Sequence, residues 1–443
     1  MPLITRRSML GLSAAALAGC ATGTGTPKST ALAAGPKVSA NEKLNIACVG
    51  VGGQGQADLR SVMHENVVAL CDVDSERAAV TYKNLPDIPK YNDYRVMLEK
   101  QKDIDAVVIA IPDHMHAFVA TAAMQLGKHV YVEKPMAHSI AEVHKLATTA
   151  NEYKVATQMG NQGHSMPGVW ALCQMIDSGM IGPVHEVHSW TNRPTWPQGL
   201  ERPTDTPPIP DTLNWEVWLG GALDRPYHPA YAPHKWRGWW DFGCCAMGDM
   251  GCHILDPPYT SLKLGAPVRL STETSGVNDE TGPLWSIITF EFPARGDMPP
   301  VKLTWFDGGK LPPRPEGLAP DYKLGDKDGG SILIGEKGSI TVGTYGNGPR
   351  FLDPAQQQEW EANAPERPTA TGHHRSWIEA CKGGEPSLSN FEYAAPFTEV
   401  VLLGNIAIRA QQPIEWNTAS KQVTNVPEAN RFVDMPYREG WVL

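Results

Sequence analysis

Glycines at 50, 52 and 55 form Gly-x-Gly-x-x-Gly, with Gly53 and Gln54 completing the turn. The first glycine permits a tight turn, the second lets bare backbone approach a pyrophosphate, and the third lets helix and strand pack closely. Alone the motif is weak. Asp72, however, lies 22 positions after Gly50 and closes the apolar run 67–71, where a carboxylate can reach the hydroxyls of an adenosine ribose. Together they predict a dinucleotide site. A carboxylate at this place repels the extra phosphate of NADP, so NAD is the expected cofactor. The competing reading is an ordinary glycine turn with Asp72 as a helix cap. A second pair, Asp249 and His253, is four residues apart. On a helix the two share a face, and a carboxylate there can hold an imidazole suited to general acid/base work near neutral pH. From spacing alone they read equally as a helix cap and a core or surface histidine.

Metal and thiol chemistry compete for the remaining residues. His114, His116, His253, Asp256, His373 and His374 are available nitrogen and oxygen ligands, but none has a recognised metal spacing, so no metal is expected. Cys244, Cys245 and Cys252 lie close to Asp249 and invite a nucleophile; small apolar filling around a tight backbone accounts for them more simply. The stretch 190–240 holds Trp190, Trp196, Trp215, Trp218, Trp236, Trp239 and Trp240 among many prolines. Flat aromatic faces suit the C–H faces of sugar rings, and Arg237 could bind hydroxyls. The same tryptophans could equally fill a core beneath Pro-rich loops.

The elements that must position these groups follow a β-α-β rhythm. The run 43–50 has an apolar core without helical period, as a buried parallel strand would, and 105–111, 117–126 and 129–132 repeat strand, helix, strand. Ligands of open parallel sheets bind at the carboxyl ends of strands. Two such ends carry unusual side chains: Ile-Pro-Asp-His-Met-His at 111–116, and Glu133, Lys134 and Pro135 after Val132. A helical stretch at 138–152 and a strand at 156–159 lead to Asn161, Gln162, Gly163 and His164. Later runs at 184–190, 286–292, 301–305 and 331–342 alternate like sheet strands, the last split by a Gly-Glu-Lys-Gly hairpin signal. A helical pattern follows at 397–409.

Gly-Lys-His-Val-Tyr-Val-Glu-Lys-Pro at 127–135, with Pro112 and His116 upstream and Asp249-x-x-x-His253 downstream, resembles the Gfo/Idh/MocA family of glucose-fructose oxidoreductase and inositol dehydrogenase, over most of 43–412. The resemblance implies an α/β protein: an N-terminal Rossmann dinucleotide-binding domain and a C-terminal α+β domain with a large open, mainly antiparallel sheet. It places Pro112, His116, Glu133, Lys134 and Asn161 against the cofactor. It makes His253 the general acid/base, Asp249 its partner, and Lys134 the cation that steadies the reacting oxygen. His164, Trp236 and Arg237 are the expected substrate contacts. Relatives commonly pair through the second-domain sheet, so a homo-oligomer is expected.

Composition bounds the remainder. The chain has 443 residues, 42 of them glycine and 38 proline, and ample apolar material for two or three domains. Lys plus Arg is 38 against 48 for Asp plus Glu, a net charge of −10, so no nucleic-acid partner is expected. Eight cysteines are too sparse for a disulfide scaffold. Arg6 and Arg7 precede an apolar stretch too short to be a permanent membrane span, resembling a twin-arginine export signal, and Leu17, Ala18, Gly19 and Cys20 resemble a bacterial lipobox. The expected layout is a signal at 1–20 with Cys20 lipidated, a flexible linker at 21–42, the Rossmann domain at 43–163, a substrate and oligomerisation domain at 164–412 with an insertion at 190–241, and a tail at 413–443. The expected protein is exported by the Tat route and sits in the periplasm, touching a membrane only through the Cys20 lipid.

Three functions fit. The first is an NAD-dependent oxidoreductase acting on a ring hydroxyl of a sugar, glycoside or cyclitol, with its cofactor tightly held. The second, drawn from relatives in glycoside hydrolase family 109, is hydrolysis through transient 3-hydroxyl oxidation. The third is a non-catalytic sugar-binding lipoprotein.

Overall fold

The computed structural model describes residue 39 and residues 42–367 and 369–443. The leader, Cys20 and nearly all of the linker lie outside these residues. Six parallel strands, β1 (Asn45–Val49), β2 (Asn66–Cys71), β3 (Lys90–Tyr91), β4 (Ala106–Ile109), β5 (His129–Val132) and β6 (Thr157–Met159), form a sheet in the order β3-β2-β1-β4-β5-β6. Strands β4 and β5 are buried along their whole length, which is why they read as unbroken apolar runs. Strand order reverses between β1 and β4, so their carboxyl ends open a crevice there. Gly50 makes the turn out of β1 with φ +78°, and a Cβ on it would lie 2.1 Å from the Ala110 carbonyl oxygen. No other residue fits that turn.

The second sheet has nine strands in the order β13-β12-β11-β7-β10-β9-β8-β14-β15. They are β7 (Val184–Thr191), β8 (Arg269–Thr274), β9 (Ser286–Phe292), β10 (Val301–Phe306), β11 (Gly329–Gly335), β12 (Gly338–Gly343), β13 (Arg350–Phe351), β14 (Ile414–Asn417) and β15 (Gln422–Val423). Only β7 and β10 pair in parallel; the β11–β12 hairpin turns at Gly335 and Gly338. The fold is thus the α/β arrangement expected, a Rossmann sheet followed by a mainly antiparallel one.

Helix Phe391–Ala410 joins the two. Asn390 caps it, accepting from the Glu392 and Tyr393 amides, so it begins six residues before the expected pattern. Its Phe397, Val401 and Leu403 belong to one continuous core with Val107 and Ile109 of β4 and Leu303 and Trp305 of β10. The other face of the Rossmann sheet is closed by helix His373–Cys381, whose Trp377, Ile378 and Cys381 pack on Ile46, Cys48 and Val108. The chain therefore returns to the nucleotide domain after leaving it.

Two expectations about layout need correction. Residues 413–443 are not a tail: β14 and β15 extend the second sheet, and beyond them the chain crosses back to the first domain. There Tyr437 OH donates to Glu142 Oε1 at 3.2 Å, and Trp441 meets Phe118 edge-on. The Trp-rich insertion starts only after Thr191, since Trp190 is part of β7. Its Trp215, Trp218, Trp239, Tyr231 and Phe242 bury one another in a separate apolar cluster. Trp377 is fully enclosed between sheet and helix. Trp377→Ala should cost about 3–5 kcal/mol of stability, read as a lowered guanidinium midpoint.

Candidate active site

A single cleft runs from the Gly50 turn to the second domain, lined from the first domain by Gly52, Gln54, Asp72, Pro112, Glu133 and Lys134 and from the second by Trp236, Arg237, His253 and Tyr345. At the near end, helix Gln54–Val62 starts without a side-chain cap, leaving its amides open to an anion. Gly52 presents bare backbone; a Cβ there would come within 2.6 Å of Arg77 Cγ. Asp72 Oδ2 accepts from the Val51 amide at 2.9 Å and Oδ1 from the Asp74 amide at 3.0 Å. Burial raises this carboxyl, against the two amides that favour its charge. Two accepting positions remain, enough for a pair of ribose hydroxyls. The cradle and carboxylate fit a dinucleotide.

The insertion roofs this end. Ser75 N donates to Thr212 O at 3.0 Å, Asn214 N to Val73 O at 2.8 Å, and Arg77 Nη1 lies 3.0 Å from His234 Nε2. Second-domain backbone is therefore hydrogen-bonded to the loop that follows β2.

At the far end, Lys134 extends from the end of β5 and donates from Nζ to both Asp249 O (2.9 Å) and Asp249 Oδ1 (2.8 Å). Arg237 Nε donates to the same Oδ1 at 3.2 Å. Burial works against the Asp249 charge, but the two cations hold its carboxyl well below the usual range. Burial likewise opposes the Lys134 charge, and Asp249 keeps it above its ordinary value. His253, one turn along helix Cys245–Ile254, does not bond Asp249. Its Nδ1 is buried without a partner among the described residues, and its ring lies 4.4 Å from that of Tyr345. Burial, then the Lys134 charge, lowers its pKa well below 6.5, so the imidazole is neutral. The expected Asp249–His253 pair is thus corrected: the carboxylate's stronger partner is a permanent cation, which a neutral imidazole cannot displace.

Three further expectations are overturned. His116 is fully buried and is not among the residues that line the cleft; its nitrogens lie 2.8 Å from Pro135 O and Ile111 O, bracing the two strand-end loops. Asn161 donates to Asp256 Oδ1 at 3.1 Å and accepts from Ser389 Oγ at 2.6 Å, beneath the site. His164 Nδ1 sits 3.0 Å from Asp256 Oδ1, with its ring 4.1 Å from Tyr393, outside the cleft. His116 thus bonds within the first domain and His164 within the second, while Asn161 reaches across to Asp256 and Ser389. Gly53 lies in the turn beneath Arg77, and Gly55 in the first turn of the helix after it.

Tyr345 and Arg77 were not anticipated. Tyr345 takes the left-handed conformation, φ +61°, in Gly-Thr-Tyr-Gly at 343–346; a tyrosine framed by glycines is the one local signal that could have marked it. Arg77 carries no motif. Burial raises the thiols of Cys244, Cys245 and Cys252 far above their ordinary values. Among the described residues, no group of three or more His, Cys, Asp or Glu is placed to hold a metal ion, and no helix is long and apolar enough to cross a membrane.

Residues 44–161 match the family described as "Oxidoreductase family, NAD-binding Rossmann fold" (GFO_IDH_MocA), and residues 168–296 match "Oxidoreductase family, C-terminal alpha/beta domain" (GFO_IDH_MocA_C2). The chain is 34% identical over 151 residues to an inositol 2-dehydrogenase of Salmonella paratyphi B, covering 33% of this chain and 45% of the relative. It is 36% identical over 161 residues to a glycosyl hydrolase family 109 protein of Shewanella amazonensis, covering 33% and 35%. These matches thus span less than half of either relative. Among solved structures, the WlbA dehydrogenase of Bordetella pertussis in complex with NADH and UDP-GlcNAcA superposes with a TM-score of 0.57 at 16% identity, over 85% of this chain and 99% of that one. An inositol dehydrogenase homolog of Azotobacter vinelandii complexed with NADH and myo-inositol gives 0.57 at 16%, over 85% and 98%. Likeness at that identity speaks to fold. With both domains matched in order, and Gly50, Gly52, Glu133, Lys134 and His253 lining one cleft, the chain belongs to the Gfo/Idh/MocA oxidoreductase family and carries its NAD-binding Rossmann fold.

Proposed function

We propose that this chain is an exported NAD-dependent oxidoreductase acting on a ring hydroxyl of a sugar, glycoside or cyclitol. The observation that carries the reading is the meeting of a cationic Lys134 and a neutral His253 at the far end of the cleft that begins at the Gly50 turn. The gapped glycines, the open helix terminus and Asp72 would hold NAD, which supplies a hydride acceptor when bound. Lys134 spends two of its three N–H groups on Asp249, and the third is left for the reacting oxygen, where it steadies developing negative charge. His253 exchanges the hydroxyl proton with that oxygen; its neutrality leaves it free to do so near pH 7. Asp249 positions both cations without touching the substrate. The roof formed by 212–214 and His234 supports tight retention of the cofactor.

Export, the Cys20 lipid and a periplasmic location rest on the leader sequence alone. Assembly as a homo-oligomer is part of the same reading. A second function, redox-assisted glycoside hydrolysis, is supported by the family 109 relatives, which match about as well as the inositol dehydrogenases.

Mass spectrometry of nucleotide released from the purified protein should find NAD, and a glycoside panel should yield a keto-sugar. Free aglycone with unoxidised sugar would favour the hydrolase, and a protein that neither retains nor takes up a nucleotide would end the reading. Lys134→Ala or His253→Ala should lower turnover about 100-fold or more with NAD still bound; normal rates in both would remove the mechanism. Asp72→Ala should reduce the NAD-over-NADP affinity ratio on the order of tenfold, measured by titration of stripped protein, equivalent to about 1.4 kcal/mol. Iodoacetamide at pH 8 should leave Cys244, Cys245 and Cys252 unlabelled in the native protein, as peptide mapping would check, because thiols raised this far hold almost no thiolate.

A further inference from the structure

The far end of the cleft holds more positive charge than proton exchange with an alcohol requires. Lys134 and Arg237 both bond one oxygen of Asp249, so one carboxylate faces two cations. The other carboxyls on this stretch offer little compensation. Asp113 is pushed up to about 7 by burial, and its Oδ2 already accepts from the Cys244 amide at 3.0 Å. Burial raises Glu133 as well, and its Oε1 accepts from Gln162 Nε2 at 2.7 Å. His253 is neutral. With Asp249 shared between two cations, part of the Arg237 charge is left for water or a bound anion to balance.

Arg237 is arranged to receive one. Its guanidinium lies over the Trp236 ring, 4.3 Å from the centroid, and its Nε is committed to Asp249. Stacking and that one bond fix the plane of the group. The two terminal nitrogens have no protein partner among the described residues, and the side chain, 34% exposed, lines the cleft. This is the edge that grips a carboxylate through two parallel hydrogen bonds. The same stacking covers a face of Trp236 that a sugar ring would otherwise use. Charge, rather than aromatic stacking, is therefore what the site offers beside the reacting hydroxyl.

We infer that the substrate is an acidic sugar, whose ring carboxylate binds the outer edge of Arg237 while Lys134 and His253 act on a ring hydroxyl. This rests on the oxidoreductase reading above and narrows its substrate class.

The test uses the holoenzyme and matched pairs: methyl glycosides of glucose, galactose, mannose and N-acetylglucosamine against their 6-carboxylates, with glucose 6-phosphate as a further anion. Affinity is measured by calorimetry and reduction of the retained cofactor by absorbance. In the best-bound configuration the acid should bind about 10- to 100-fold more tightly than its neutral partner. Arg237→Gln should bring that ratio near one, and Arg237→Lys, which keeps charge without the fork, should retain part of it. Because the ratio is taken within each variant, a general loss of activity does not mimic the effect. Equal or better binding of the neutral sugars, or a preference that survives Arg237→Gln, would overturn the inference. Tight binding of the phosphate alone would overturn the carboxylate assignment. Selective acid binding without cofactor reduction would instead strike at the oxidoreductase reading and leave the anion site standing.

Discussion

A buried ammonium is tolerable only if a carboxylate meets it, and the site depends on that constraint. Lys134 stands at the end of β5 in the nucleotide domain; Asp249 stands on a helix of the second domain. Removing either partner would leave a charge in a low-dielectric interior at a cost of several kcal/mol. The pair therefore sets how the two domains meet. Helix Phe391–Ala410 supplies the apolar part of the same junction, and Asn405 adds a bond from that helix to the Cys244 carbonyl at 2.9 Å, just before the helix that carries Asp249. Burial and the Lys134 charge leave the imidazole one turn from Asp249 neutral, so the site holds both a fixed charge and a proton carrier.

The insertion after β7 turns an open crevice into a covered one. Its aromatic residues bury each other and so give a Pro-rich segment, with only a short helix at Trp215–Leu219 and a 3-10 turn at Lys235–Gly238, enough apolar area to hold a defined shape. That rigidity lets 212–214 hydrogen-bond to the loop after β2 and lets Trp236 carry Arg237 at a set height above Asp249. The roof and the cation are thus two consequences of one small core. Opposite them, Tyr345 accepts a left-handed backbone to lie against His253, a local strain of about 1–3 kcal/mol that the surrounding sheet must offset.

Much of this was legible in the chain. Alternation of apolar strands with helical stretches yielded the parallel sheet, and the Gly50 turn, Asp72, Pro112, Glu133 and Lys134 all line the cleft where strand-end reasoning put them. Trp236 and Arg237 line it too, but the expected stacking surface proved to be a platform for the arginine. The family resemblance put His116 and Asn161 at the cofactor, and His164 was expected at the substrate because it follows the strand that ends the nucleotide domain. Asn161 and His164 turned out to bond Asp256 from a distant segment, and His116 the carbonyls of the two strand-end loops themselves. Residues 413–443 were read as a tail because strands of four and two residues carry too little pattern to announce a sheet edge.

The difference has a physical cause. Sequence by itself determined what depends on neighbours along the chain: the turn that only glycine permits, the alternation that makes a buried strand, the acidic residue a fixed distance past a strand, and the one helical face shared by Asp249 and His253. Tertiary structure alone decided which groups those side chains bond. Asp249 met Lys134, 115 positions earlier, instead of the histidine four positions on. A charged hydrogen bond across a domain junction outweighs a local contact to a neutral ring, and packing, not spacing, brings the stronger partner within reach.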